Sequence, residues 1–179
     1  MKQTLAILAS YSKGVNNKVI GLFEGIPEER LKQDMNAYYK SILGTFVHMT
    51  MADLNWFIRW NNLFPASVFT RSELLQTPVA DWQEKLERNY RELFTVRRSA
   101  DELFLEFVRE LTEEDLNKVI NYTDRRGNAL SNKLGNILLH LFNHQTHHRG
   151  AISTLLDIQG IDNDYSGLFK YPLADGSGS

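Results

Sequence analysis

The sequence predicts an all-α protein, a four-helix bundle with long crossover connections and a small hairpin-like insert before the last helix. Three observations predict it. Apolar residues recur at helical spacing over four long stretches. Those stretches are joined by segments of very unequal length, which argues against simple up-down order. Strand-like alternation is confined to one short region, residues 118–130.

The first helix is expected over residues 3–24, where Leu5, Leu8, Val15, Val19 and Leu22 keep helical register and Gly25 and Pro27 end it. Lys2 and the apolar residues 5–9 resemble a short signal peptide, but the helical pattern continues past them, so they read as part of the domain. Residues 28–34 form a polar connection with room for one helical turn. The second helix is expected over 36–61, closed by Asn61, Asn62 and Pro65. A connection over 63–77 follows. Thr77 as N-cap and Pro78 at the first position then start a third helix. Its stripe runs Leu86, Tyr90, Leu93, Arg97, Ala100, Phe104, Phe107 and Leu111, interrupted only by Arg97.

Residues 112–130 behave differently. Lys118 to Thr123 alternate, Asp124-Arg125-Arg126-Gly127 signals a turn, and residues 128–130 can return as a strand. Ser131 is the expected cap of a last helix reaching about Gln159, with Gly160 just past its end. Trp56, Trp60, Trp82, Tyr38 and Tyr39 read as core or interface aromatics that can also line a cavity. One domain is expected over 1–165, followed by a tail over 166–179 whose Asp175–Ser179 end is Gly/Ser-rich and flexible.

Composition narrows the function. A chain of 179 residues with 42% hydrophobic residues suits a single globular core. A net charge of −2 argues against a nucleic-acid footprint. No run approaches transmembrane length. With no cysteine, any metal must be held by His, Asp or Glu. Gly-rich phosphate loops, His-Glu-x-x-His and Gly-x-Ser-x-Gly are all absent, so nucleotide-binding, metalloprotease and serine-hydrolase readings have no motif.

The histidines carry the signal. His140, His144, His147 and His148 fall in one short stretch, and His48 lies far upstream in a second apolar pattern. On a helix, His144 and His148 differ by roughly 40° around the axis and roughly 6 Å along it, a chelating arrangement. They share a face with Ile137, Leu141, Ile152 and Leu155, where packing alone would place leucine. A buried polar ring without a partner costs roughly 1–3 kcal/mol, and a metal would satisfy both. His48 has Gly44, Thr45 and Ala52 around it, which leaves room for a close helix or an ion. Spacing alone does not choose the ligands, since His140 and His144 are also four apart and His144 and His147 three apart. His140 and His147 read as surface or supporting positions. Asp53, five residues past His48, reads as a solvated helix residue or as an acceptor behind the ligands. Arg126 and Arg125 read as a solvated hairpin tip.

Asn143-His144-Gln145-Thr146-His147-His148-Arg149-Gly150 on the last helix, with His48 upstream, resembles the DinB/YfiT-like family of metal-dependent enzymes. The label is shared with a DNA polymerase, which is not implied. The resemblance spans about residues 3–160 and includes the hairpin-like insert and the Thr-x-x-Asp-Leu stretch at 112–116. It implies a four-helix bundle and selects His48, His144 and His148 as ligands of one divalent ion, zinc or nickel. It also implies a low-molecular-weight thiol cosubstrate, because family members include thiol transferases and an isomerase using bacillithiol or mycothiol. The same resemblance implies a small-molecule substrate and a homodimer; a cytoplasmic location is expected as well, with no nucleic-acid partner on the charge and no membrane partner for want of a transmembrane run. Gly150 is expected to permit close helix packing and Arg149 to form an ion pair. Ala151 stands where the family often has Gln, which removes a polar group near the site.

A thiol transferase is therefore the leading expectation. A metal-dependent hydrolase, a metal- or ligand-binding bundle without turnover, and an interaction protein with incidental histidines are the alternatives.

Overall fold

The computed structural model describes residues 1–64, 68–124 and 126–171. Pro65, Arg125 and the Asp175–Ser179 end, each given a role above, lie outside them. The described chain is mostly helical, with one two-stranded antiparallel sheet.

Helix α1 (Lys2–Phe23) buries Leu5, Ala9, Val15, Val19, Ile20 and Phe23 on one face. A single turn, α2 (Glu28–Lys32), follows and buries Leu31. Helix α3 (Ile42–Leu63) begins six residues later than expected. Asn36 (φ 56) and Lys40 (φ 66) are left-handed, and Ala37 bridges Lys40, so residues 36–41 form a turn instead of helix. Ser41 supplies the cap, its hydroxyl accepting from the Gly44 amide at 3.0 Å. The missed signal was the cap, because Tyr38 and Tyr39 carried the apolar pattern across it.

Two short 3₁₀ turns lead to α4 (Val79–Arg88) and α5 (Tyr90–Glu110). One continuous helix was expected here. Asn89 breaks it by taking an extended conformation and capping α5 with a bond from the Glu92 amide at 3.2 Å. The cap of α4 is Pro78, one residue after the expected Thr77, and no side chain assists it.

The Thr112–Leu116 stretch proves to be a capping box, with Thr112 and Asp115 bonding reciprocally at the start of α6 (Glu113–Asn117). The expected hairpin is present as β1 (Val119–Thr123) and β2 (Ala129–Lys133), with Tyr122 opposite Leu130. Asp124 organises its turn by accepting from the Arg126 and Asn128 amides at 2.8 and 2.9 Å. Strand β2 is longer than expected. Ser131 therefore pairs with Asn121 in the ladder and cannot cap α7 (Leu134–Ile158), which starts after Lys133. At the other end Gly160 (φ 71) closes α7, its amide bonding Asp157 O while the Ile161 amide bonds Leu156 O.

Among the long helices, α1 packs on α5 and α7, and α3 packs on α5 and α7. The chain therefore runs from α1 to α3, and from α5 to α7, between helices that are not close neighbours. That explains the long connections carrying α2 and the hairpin. The opposed helices touch through core rings, Phe23 with Phe46 at 5.4 Å and Phe104 with Phe142 at 4.7 Å. Trp60 and Trp82 are buried, as expected of core aromatics, and Tyr38 is 92% exposed. Residues 166–171 fold back, since the Tyr171 ring packs on Tyr11 at 5.5 Å and against Gly14.

A polar layer crosses this core and joins all four long helices. Arg97 of α5 donates to Asp53 of α3 at 2.7 Å and to Asp101 of its own helix at 2.8 Å. Asn16 of α1 donates to both Asp101 oxygens at 3.0 and 3.1 Å. Gln145 of α7 donates to Asp53 at 2.7 Å. Arg149 donates to Gln145 at 3.2 Å and to Asn16 at 3.4 Å. All six side chains are buried. Arg97, the one break in the predicted apolar stripe, is thus the centre of the layer. Asp53 is not solvated, contrary to expectation, because it is the carboxylate that balances Arg97. The expected Arg149 ion pair is replaced by these hydrogen bonds and by the Tyr11 ring, 5.2 Å from the guanidinium. Gly150 does not serve close packing, since a Cβ there would meet nothing within 4 Å.

Burial pushes the Asp101 carboxyl up to about 6, against the opposing pull of Arg97. Replacing Arg97 by Met leaves two carboxylates buried without their cation. The expected cost near neutral pH is about 3–5 kcal/mol in urea unfolding. Without Arg97 these carboxyls are pushed higher still, so the variant takes up protons before wild type does, and the loss should shrink as pH falls toward about 6. A loss under about 1 kcal/mol, or one that grows in acid, contradicts this account of the layer.

Candidate metal centre

The polar layer sets the facing of α3 and α7, and one layer outward along them the histidines meet. His48 comes from the second turn of α3, and His144 and His148 come from successive turns of α7. His144 Nε2 lies 3.2 Å from His48 Nε2 and 3.0 Å from His148 Nε2. One nitrogen from each of the three lies within 4.8 Å of the others. Ligand nitrogens at about 2.0–2.1 Å from a tetrahedral ion are separated by roughly 3.3 Å. The donor set therefore has the chemistry and the spacing to hold one divalent ion, with the fourth side open.

The other sequence candidates fall outside this group. His140 and His147 are exposed, their rings 6.3 Å from His144 and 4.9 Å from His148 respectively. Asp53 is engaged by Arg97 and Gln145.

Electrostatics favour a neutral His148. Burial pushes the His148 imidazole down to about 4, with repulsion from His144 and His147 adding to the effect. His148 therefore stays unprotonated, as a metal ligand must, well below neutral pH.

Tyr39 lines a cavity, as its type allowed, but sequence reasoning missed its place against His48. Its ring stacks on His48 with centroids 4.0 Å apart and an interplanar angle of 15°. Its hydroxyl lies 2.9 Å from His48 Nε2, the atom that faces the other histidines. The left-handed turn places it there. A Cβ on Gly44 would sit 2.1 Å from the Tyr39 carbonyl oxygen, so glycine is what lets the turn press onto α3. Two left-handed non-glycine residues in one short turn are uncommon, and such backbones persist where the surroundings hold them. The legible signals were Asn36 and the Ser41 cap, which together mark a turn before the helix.

Two cavities are each lined by at least two of the three histidines. One, of about 560 Å³, lies against the hairpin between α3 and α7, with His48 and His144 in its lining and Trp56, Arg59 and Tyr122 in its wall toward the hairpin. The other, of about 610 Å³, is lined by Tyr38, Tyr39, His147, His148, Ala151 and Leu155. Both volumes suit small-molecule ligands. No helix among the described residues is long and apolar enough to cross a membrane.

A family model described as DinB family matches residues 1–165. The chain is 24% identical over 167 residues to a Bacillus subtilis (strain 168) protein named Protein DinB, an alignment that covers 92% of each chain. No solved structure gives a significant match.

The depressed His148 pKa has a consequence for the metal-free protein. Between pH 6.5 and about 4 the unfolded chain takes up a proton at this residue that the folded chain refuses. Its stabilising contribution is present above pH 6.5 and is lost as pH falls through that window. Urea unfolding of metal-stripped protein should therefore show a shallower acid loss for His148→Gln than for wild type. Identical slopes in the two proteins contradict a buried, neutral His148.

Proposed function

The chain belongs to the DinB family, and we propose that it is a divalent-metal-dependent transferase whose ion is held by His48, His144 and His148 and which uses a low-molecular-weight thiol. The observation that carries the metal reading is the convergence of three Nε2 atoms from two helices at 3.0 and 3.2 Å. Neutral imidazoles with open positions suit zinc or nickel. Such an ion supplies Lewis acidity, lowering the pKa of a thiol or water brought to it.

The chain's own residues then have defined tasks. Burial keeps His148 neutral and ready to bind. If an ion took the lone pair of His48 Nε2, the Tyr39 hydroxyl, 2.9 Å from that atom, would be placed to donate to an anionic ligand on the open side and so to orient it. The absence of cysteine means that any sulfur nucleophile arrives from outside. Two cavities meeting at one cluster suit a reaction between two small molecules.

We read the four long helices as the family's four-helix bundle, with residues 1–165 as its domain. Homodimerisation rests on the family resemblance and the absence of nucleic-acid partners on the net charge of −2, and a cytoplasmic location is part of the same proposal.

Protein purified without an affinity tag should contain one zinc or nickel per chain by elemental analysis. His48→Ala, His144→Ala and His148→Ala should each weaken binding by more than the roughly 10–100-fold expected for losing a supporting partner. His140→Ala should bind normally. With cobalt in the site, adding a thiol should produce a sulfur-to-metal charge-transfer band that His144→Ala lacks. Absence of near-stoichiometric metal after reconstitution sinks the metal reading. Metal-dependent ester or amide hydrolysis without any thiol band reassigns the protein as a hydrolase.

A further inference from the structure

The hairpin-side cavity contains a cation that the metal reading does not use. Arg59 lies on the same face of α3 as His48, Ala52 and Asn55, three turns beyond the histidine. Its guanidinium packs over Trp56, 4.8 Å from the ring centroid, and near Tyr122 at 5.8 Å. One nitrogen donates to Thr123 O of the hairpin at 3.2 Å. Among the described residues no carboxylate lies within 4.0 Å of it. Asp124, also in the cavity wall, points its oxygens into its own turn, toward the Arg126 and Asn128 amides and the Asn128 side chain. The head is therefore placed by two rings and a backbone carbonyl, with its charge unbalanced and most of its donor fork still available.

We infer that this cavity is a binding site for an elongated small molecule with a terminal carboxylate, gripped by Arg59 at the hairpin end while its other end reaches the histidine cluster. The inference rests on the proposed metal reading for the histidine end only. A guanidinium fork matches a carboxylate in plane, and one unbalanced cation fits one negative charge better than a phosphate dianion. Trp56 and Tyr122 supply flat apolar walls, and Asn55, Asn132 and Asn136 supply polar edges along the way. The helix sets the length: His48 and Arg59 are separated by roughly 16 Å along the axis at 1.5 Å per residue. With the Arg59 side chain spanning part of that gap, the ligand must bridge on the order of 10 Å.

The ligand length is directly testable. Mercaptopropionate, mercaptohexanoate, mercaptooctanoate and mercaptoundecanoate are compared with the matching mercaptoalcohols by calorimetry on zinc-loaded protein. The acid should bind about tenfold better than its alcohol at the longer lengths and no better at the shortest. Arg59→Gln should abolish that preference, and Arg59→Lys, which keeps the charge but loses the fork, should retain only part of it. Circular dichroism checks that both variants fold, and the lysine variant alone still decides the matter if the other does not. Hexanoate and octanoate, tested on metal-free protein, identify the source of the carboxylate. Arg59-dependent binding of these plain acids places it on the thiol's reaction partner, and binding of the mercapto acids alone places it on the thiol. Failure of the metal reading shows separately, as loss of the thiol contribution with the acid preference intact. Equal binding of acids and alcohols at every length overturns the inference. So does a preference that survives Arg59→Gln, or a variant that loses only thermal stability.

Discussion

Asp53 and Arg97, both fully buried and 2.7 Å apart, hold the orientation on which the rest of the molecule depends. Arg97 ties α5 to α3, Asp101 ties α5 to α1 through Asn16, and Gln145 ties α7 to the same Asp53. Gln145 is the residue after His144, and Arg149 the residue after His148. Turning α7 by one residue, about 100°, would take both residues out of the layer and both histidines out of the cluster. The layer therefore fixes the rotational setting of the helices in which three imidazoles converge. Apolar contacts alone specify such settings less sharply, because hydrophobic burial is not directional.

The layer is better suited to specifying the arrangement than to raising stability. Two arginines and two aspartates leave it close to neutral, but Asp53 Oδ1 and the Nε atoms of Arg97 and Arg149 take no hydrogen bond among the described residues. Buried ion pairs with incomplete partners add little net stability, while removing one member is costly. Above the layer the molecule departs again from simple packing. Three imidazoles occupy positions suited to leucine, and a turn with two left-handed residues presses a tyrosine against one of them. These departures sit beside one another against two cavities, where a site built for a ligand would concentrate them.

Much of this was legible in the sequence. Helical periodicity located the four long apolar stretches, and Gly160 ended the last as its position requires. His48, His144 and His148 stood out because polar rings interrupted apolar stripes. What escaped was local chemistry that competes with periodicity. Ser41 and Asn89 cap helices inside runs whose apolar spacing continues unbroken, so one helix appeared too long and another undivided. Ser131 looked like a cap, and ladder pairing overrode it. Asp53 and Arg97 look like surface residues in isolation. Their burial depends on a contact forty-four positions apart, which no local window contains. Tyr39 was misplaced for the same reason as the start of α3, and with it went the hydroxyl that lies beside His48 Nε2.

The central claim is that the layer and the turn together aim three histidines at one ion. Diffraction from zinc-loaded crystals at the metal's absorption edge tests it most directly. The account predicts one anomalous peak per chain, about 2.0–2.1 Å from Nε2 of His48, His144 and His148, with the Tyr39 hydroxyl beside its open face. A peak bound instead by His140 and His144, or by His147, or no ordered peak at all, would contradict it.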